Sequence, residues 1–146
     1  MTAPFIVKTV STIHAGKAEA YAPLASEICR LVQEKEPRVL AFHIYATEDQ
    51  TTEVVIQIHP DAESMQYHLE VLSAKVRETF AYSDFKSLEI YGDLSPALTE
   101  WFQRVSKGIA KVLPTFLRDR VDIWQRLLGR KGFRKQRQLI ERSSML

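Results

Sequence analysis

The chain has a single cysteine, Cys29, among its 146 residues. This excludes an internal disulfide framework and any CxxC metal or redox motif, and it fits a reducing compartment. No stretch approaches the roughly 18 apolar residues that span a bilayer, and Met1 to Val10 lacks a basic segment followed by an apolar core. We therefore expect a cytoplasmic protein. HExxH and HxH pairs are missing, and the four histidines, at positions 14, 43, 59 and 68, are too widely spaced for a local ligand pair; no metal is expected. GxGxxG, the P-loop and GxSxG are absent too, which removes the readily legible nucleotide and acyl-transfer chemistries and leaves no cofactor expected. Internal repeats and low-complexity tracts are lacking.

What remains is 45% hydrophobic and 26% charged, the balance of a globular domain with room for an appendage. The net charge of +2 hides a division at Ser95. Residues 1–95 hold 8 Lys and Arg against 14 Asp and Glu, a net −6; residues 96–146 hold 12 against 4, a net +8. Such asymmetry marks two regions of different kind, an acidic domain over 1–95 and a basic extension over 96–146.

Within the first region, Phe5 to Ile13 is rich in β-branched residues and ends at the turn Ala15-Gly16, so it reads as a strand. From Lys17 to Lys35 the apolar positions Tyr21, Leu24, Ala25, Ile28, Leu31 and Val32 recur at helical spacing, and Pro37 stops the helix. Cys29 sits beside Ala25 and Val32 there and reads as a buried structural thiol. Arg38 to Ala46 returns to a strand pattern, with Val39, Ala41, His43 and Tyr45 on one face and Leu40, Phe42 and Ile44 on the other. A short polar turn leads into Glu53 to His59, predicting an antiparallel hairpin.

Pro60 to Ser64 is an acidic, proline-led turn of the kind that caps a helix N-terminus. Met65, His68, Leu69, Leu72, Val76 and Phe80 then form one helical stripe that must face the sheet. Phe85 to Tyr91 is the fourth strand, giving the order βαββαβ: an α+β, ferredoxin-like arrangement. Both helices in that topology lie on one side of the sheet. The other side needs a cover, for which a second copy is the usual solution, with Val55 and Phe42 as its expected contacts.

Beyond Pro96, apolar residues from Leu98 through Trp101, Phe116 and Trp124 to Leu128 predict a long helix kinked at Pro114. Arg104, Lys107, Lys111, Arg118 and Arg126 occupy its opposite side, Gly129 to Gly132 ends it, and the last 14 residues are expected to fray. This basic amphipathic helix packs on the domain or its dimer mate in one reading, and lies on an anionic membrane surface in the other. Nucleic acid is not an expected partner, because the basic residues form no reading motif and the acidic domain repels phosphate.

His68 is the residue with the most chemical interest, since a buried imidazole on an apolar stripe needs a hydrogen-bond partner or a ligand. Tyr45, Gln57 and His59 are candidates to supply one. Imidazole is also the side chain best suited to proton transfer near neutral pH.

The stretch Val55-Ile56-Gln57-Ile58-His59-Pro60-Asp61-Ala62-Glu63-Ser64-Met65-Gln66-Tyr67-His68 resembles the signature of the antibiotic biosynthesis monooxygenase-like domains. That signature is a strand ending in Glu-x-Trp, an acidic turn, and a helix whose histidine falls nine residues after the tryptophan. Gln57 and His59 take the places of the glutamate and the tryptophan, and His68 follows at the required interval. With the element order, the resemblance covers residues 1–95. It implies a dimeric α+β barrel, a homodimer whose subunits each hold a pocket between helices and sheet, and in some members cofactor-independent oxygenation of quinols or polyketide aromatics. Haem-degrading members rely on an asparagine from the first strand; this sequence contains no asparagine, so that branch is set aside.

The expectation is a monooxygenase-like homodimer that accepts a small apolar, aromatic or quinone-like molecule. In it His68 is the catalytic acid or base and Tyr45, Gln57, His59 and His43 bind the ligand. The alternative is a non-catalytic dimeric ligand-binding or interaction protein, whose basic C-terminal helix carries association with a membrane surface or another protein.

Overall fold

The structure is a computed structural model and describes residues 4–114. Those residues form β1 (Phe5–Ile13), α1 (Ala18–Lys35), β2 (Ala41–Ala46), β3 (Thr52–His59), α2 (Ala62–Thr79), β4 (Ser83–Tyr91), α3 (Pro96–Val105) and β5 (Ala110–Leu113). The first six elements follow the expected βαββαβ order. They make one sheet in the order β2-β3-β1-β4-β5, antiparallel except for the parallel pair β4 and β5. This is the ferredoxin-like α+β arrangement.

Alternation along the central strand decides which face is which. Phe5, Val7, Thr9, Ser11 and Ile13 of β1 are all buried, and the helices pack on the face that they share. Tyr21, Leu24, Ile28 and Val32 of α1 gather with Ile13 and Leu72 into one cluster of the core. A second cluster joins Phe5, Val7, Leu88 and Ile90 of the sheet to Met65 of α2, Leu98 and Phe102 of α3 and Ala110 of β5. Residues past Ser95 therefore complete the core at one end of the sheet.

The start of α2 is capped as its sequence suggests. Asp61 accepts a hydrogen bond from the Ser64 amide at 2.9 Å, and Arg38 pairs with both Asp61 and Glu63, tying the chain ahead of β2 to this helix N-terminus. At the other end of the fold, Gly92 leaves β4 with φ +134°. A Cβ added there would lie 2.7 Å from that of Phe5, so only glycine lets β4 pass so close to the start of β1.

Three expectations need correction. The helix predicted to run on from Pro96 ends at Val105. Lys107 and Gly108 take positive φ values of 52° and 84°, Ser106 Oγ accepts from the Ala110 amide at 3.0 Å, and Ala110–Leu113 then joins the sheet as β5. The apolar positions Val105, Ile109, Val112 and Leu113 fit helical spacing, but 109–113 also fits alternation, and pairing with β4 wins. The helix expected beyond Pro114, including Phe116 and Trp124, and the fraying end lie outside the described residues.

The second correction concerns the uncovered face. Phe42 packs on the helix-side core, and Val55, two residues from Gln57 and opposite Thr9, shares that side. The open face instead presents Ile6, Val10, Val54, Ile56, Ile58, Tyr45 and Tyr91 by the same alternation. Cys29 is half-buried rather than fully buried, and its surroundings together with the charge of Glu53 push its thiol pKa up, which disfavours the reactive thiolate.

Candidate functional site

α2 delivers His68 to the helix–sheet interface because Met65, His68 and Leu72 share its buried stripe. The imidazole is 3% exposed. Its partner is none of the three residues the sequence suggested. Nδ1 lies 2.7 Å from Oε2 of Glu36, the residue that closes α1. Glu36 is itself buried, and its second oxygen, Oε1, has no hydrogen-bond partner in the structure. With the ring N–H of Nδ1 donating to the carboxylate, Nε2 becomes the nitrogen available for proton transfer.

A cavity of about 400 Å³ borders this imidazole. It lies between α2, α3 and the sheet, and its walls are largely apolar: Val7, Leu69, Leu72, Phe85, Trp101 and Phe102 contribute. The polar groups are few. Thr9, Gln57 and His68 belong to the buried side, and Ser73 and Arg77 belong to the exposed side of α2. A concave apolar site with a few convergent polar groups is the usual form of a small-molecule pocket.

His59 stands behind this cavity. It is 0% exposed, stacks on Phe5 with ring centroids 5.6 Å apart, and meets His68 edge to face at 5.1 Å. Its Nε2 lies 3.2 Å from Gln57 Oε1 and its Nδ1 lies 3.1 Å from Ser64 Oγ. This fits a neutral ring that donates through Nε2 and accepts the Ser64 hydroxyl at Nδ1. Burial first, and the neighbouring His68 second, bring its pKa down from 6.5 to about 4, against a smaller opposing pull from Asp61. Neutral at physiological pH, His59 orients Gln57 and adds no positive charge beside His68.

The structure thus brings together three of the expected residues, with Gln57 and His68 on the cavity and His59 supporting Gln57. It does not bring Tyr45 and His43 to them. Phe42, between Ala41 and His43, contacts His68 at 5.8 Å between ring centroids, so alternation turns His43 and Tyr45 to the opposite face of the sheet. Their rings sit 5.9 Å from each other there, and Tyr45 is 53% exposed. Sequence reasoning missed Glu36, Thr9 and the α3 wall. Glu36 had a signal, because it falls one helical turn after Val32 on the stripe Tyr21, Leu24, Ile28, Val32.

A second buried carboxylate, Glu53, sits at the far end of β3 and accepts a hydrogen bond from Tyr21. Burial raises the pKa of both groups, and their mutual contact raises that of the phenol further. This pair is remote from His68, near the α1 cluster of the core. Among the described residues no group of three or more His, Cys, Asp or Glu could hold a metal ion, and no helix is long and apolar enough to cross a membrane.

No protein-family model matches the chain, and no curated protein matches it either. Solved structures do resemble it. MupZ from Pseudomonas fluorescens superposes with a TM-score of 0.65 at 13% identity, over 79% of this chain and 92% of that one. SnoaB, a cofactor-independent oxygenase from Streptomyces nogalater, gives 0.53 at 12% identity over 64% of this chain and 95% of its own. An antibiotic biosynthesis monooxygenase gives 0.51 at 20% identity, covering 63% of this chain and 99% of its own. At such identities the likeness is one of fold, and the chain has the antibiotic biosynthesis monooxygenase-like fold.

Proposed function

We propose that this protein is a cofactor-independent monooxygenase acting on a small aromatic or quinone-like molecule held in the cavity beside His68. The observation that carries the reading is a single buried imidazole, fixed by a buried carboxylate, at the wall of a largely apolar cavity. Among the lining residues His68 is the one that carries an imidazole. In the proposed reaction its Nε2 removes a proton from an acidic ring C–H of the substrate. The carbanion, delocalised over the aromatic system, reduces dioxygen and combines with it to a hydroperoxide at that ring carbon; the carbon then loses its second hydrogen as a proton while the O–O bond breaks, so one oxygen atom stays as a carbonyl and the other leaves as water.

Glu36 has two tasks in this scheme. It holds the ring so that Nε2 is the base, and it provides the counter-charge to the imidazolium that forms, in surroundings where water screens little. Gln57, held by His59, is placed to donate to a substrate oxygen. We further propose that the protein works as a homodimer, since the open sheet face presents Ile6 and Tyr91, each 38% exposed, in a row of apolar neighbours. The test is oxygen uptake with an aromatic carbon acid such as a hydroxylated anthrone. Uptake should exceed that of buffer and fall by about 100-fold or more in a folded His68→Ala variant; undiminished uptake by that variant would refute the role of His68.

A further inference from the structure

We infer that the cavity selects an amphipathic anion: a molecule whose apolar body carries an oxygen seated at the buried end and an acidic group held at the rim by Arg77. This rests on the reading of the cavity as a small-molecule site and adds the class of molecule it takes.

The two ends of the cavity differ in chemistry. At the buried end, Thr9 is 8% exposed and its hydroxyl makes no hydrogen bond among the described residues. The Gln57 amide nitrogen is likewise without a partner, its oxygen being taken by His59. Thr9 lies opposite Val55 and Gln57 opposite Val7, so the two are diagonal neighbours on the same face of β1 and β3, about 7–8 Å apart. Polar groups left open inside an apolar cavity favour a ligand that brings an oxygen to them.

At the rim, Arg77 and Ser73 are exposed on α2, and Phe80 and Val105 beside them are 46% and 41% exposed. The Arg77 guanidinium joins no ion pair or hydrogen bond among the described residues, whereas Arg30 and Arg38 each hold a carboxylate at 2.8 Å. The nearest acid in sequence, Glu78, is occupied by Lys75 at 3.3 Å. A cation in the last turn of α2 also suits the helix dipole, and that alone would explain a solvated arginine. It does not explain why the same side chain lines the mouth of a largely apolar cavity. A guanidinium there matches a carboxylate or sulfonate through paired N–H donors. Arg77 lies nine positions after His68 on α2, about 13 Å along the axis, so a molecule that reaches from the buried wall to the rim is longer than one aromatic ring.

The test uses two fluorescent probes that share a ring system and differ in charge, 1-anilinonaphthalene-8-sulfonate and the neutral N-phenyl-1-naphthylamine, titrated against the full chain. The sulfonate should bind about fivefold more tightly, the size expected for a partly exposed charged hydrogen bond, and the gap should shrink as salt is raised. Arg77→Gln should remove the gap and leave the neutral probe unaffected, while Arg104→Gln, which deletes a cation outside the cavity lining, should preserve it. Equal binding of both probes to the wild type, or an undiminished gap in Arg77→Gln, would overturn the inference. Ser73→Trp, at an exposed rim position, should block both probes. If it blocks neither, or if neither probe binds the wild type, the cavity is not a ligand site and both readings fall.

Discussion

Glu36 and His68 are 32 residues apart in the chain and 2.7 Å apart in the fold, each the other's main polar contact in an apolar interior. Histidine on an apolar stripe was visible from sequence; its acid was not, because the sequence does not say which helix end meets which. The stripe position of Glu36 was the one local hint. His59 shows the same difficulty in reverse: its spacing to His68 marked it, but only the packing against Phe5 and Ser64 shows a neutral, sealed ring rather than a cavity group. This has a consequence for stability. A histidine whose pKa falls from 6.5 to about 4 on folding binds fewer protons folded than unfolded between those values, so its contribution is lost as pH drops from about 6.5 towards 4. Urea denaturation should therefore show the stability gap between wild type and His59→Gln narrowing by about 2–3 kcal/mol between pH 7 and pH 4.5. A constant gap would mean that His59 titrates normally.

Among the elements, the most constrained junction is the exit of β4. Gly92 combines a positive φ with the close approach of Phe5, so Gly92→Ala should lower unfolding stability by about 3 kcal/mol, through backbone strain and overpacking together. Gly16 and Gly108, which have nothing within 4 Å of an added Cβ, should cost less on the same substitution, through strain alone. Thermal or denaturant unfolding of the three variants checks the order. Elements with one clear period were legible: β1 alternates without interruption, and the stripes of α1 and α2 hold for 18 residues each. Reading failed where two periods overlap. Val105, Ile109, Val112 and Leu113 keep helical spacing while Ala110 and Val112 alternate with Lys111 as in a strand, and the decision belongs to Gly108 and to the edge of β4, a long-range partner that no local window contains. Val55 and Phe42 were assigned to the wrong face for a related reason, since strand alternation divides residues into two sets but does not say which set meets the helices.

Among the described residues, the sheet has helices on one face and apolar side chains open on the other. If that face is the homodimer interface proposed above, placing a charge in its middle is the sharpest perturbation. Ile56, paired with Lys8 and His43 on that face, is central. Ile56→Asp should convert the dimer to a monomer in light scattering coupled to size exclusion, with the helix-side core, and hence the circular dichroism spectrum, little changed. A wild-type monomer would remove the dimer from the account. The cavity is enclosed by α2, α3 and the sheet of one chain, so its chemistry can be examined apart from assembly. The central claim is that His68 takes a proton from a bound aromatic carbon acid, and it is tested most directly without oxygen. Anaerobic exchange of the acidic ring C–H of an anthrone into heavy water, followed by NMR, should run faster with the protein than in buffer and return to the buffer rate with His68→Ala. Exchange that the variant catalyses as well as the wild type would contradict the account.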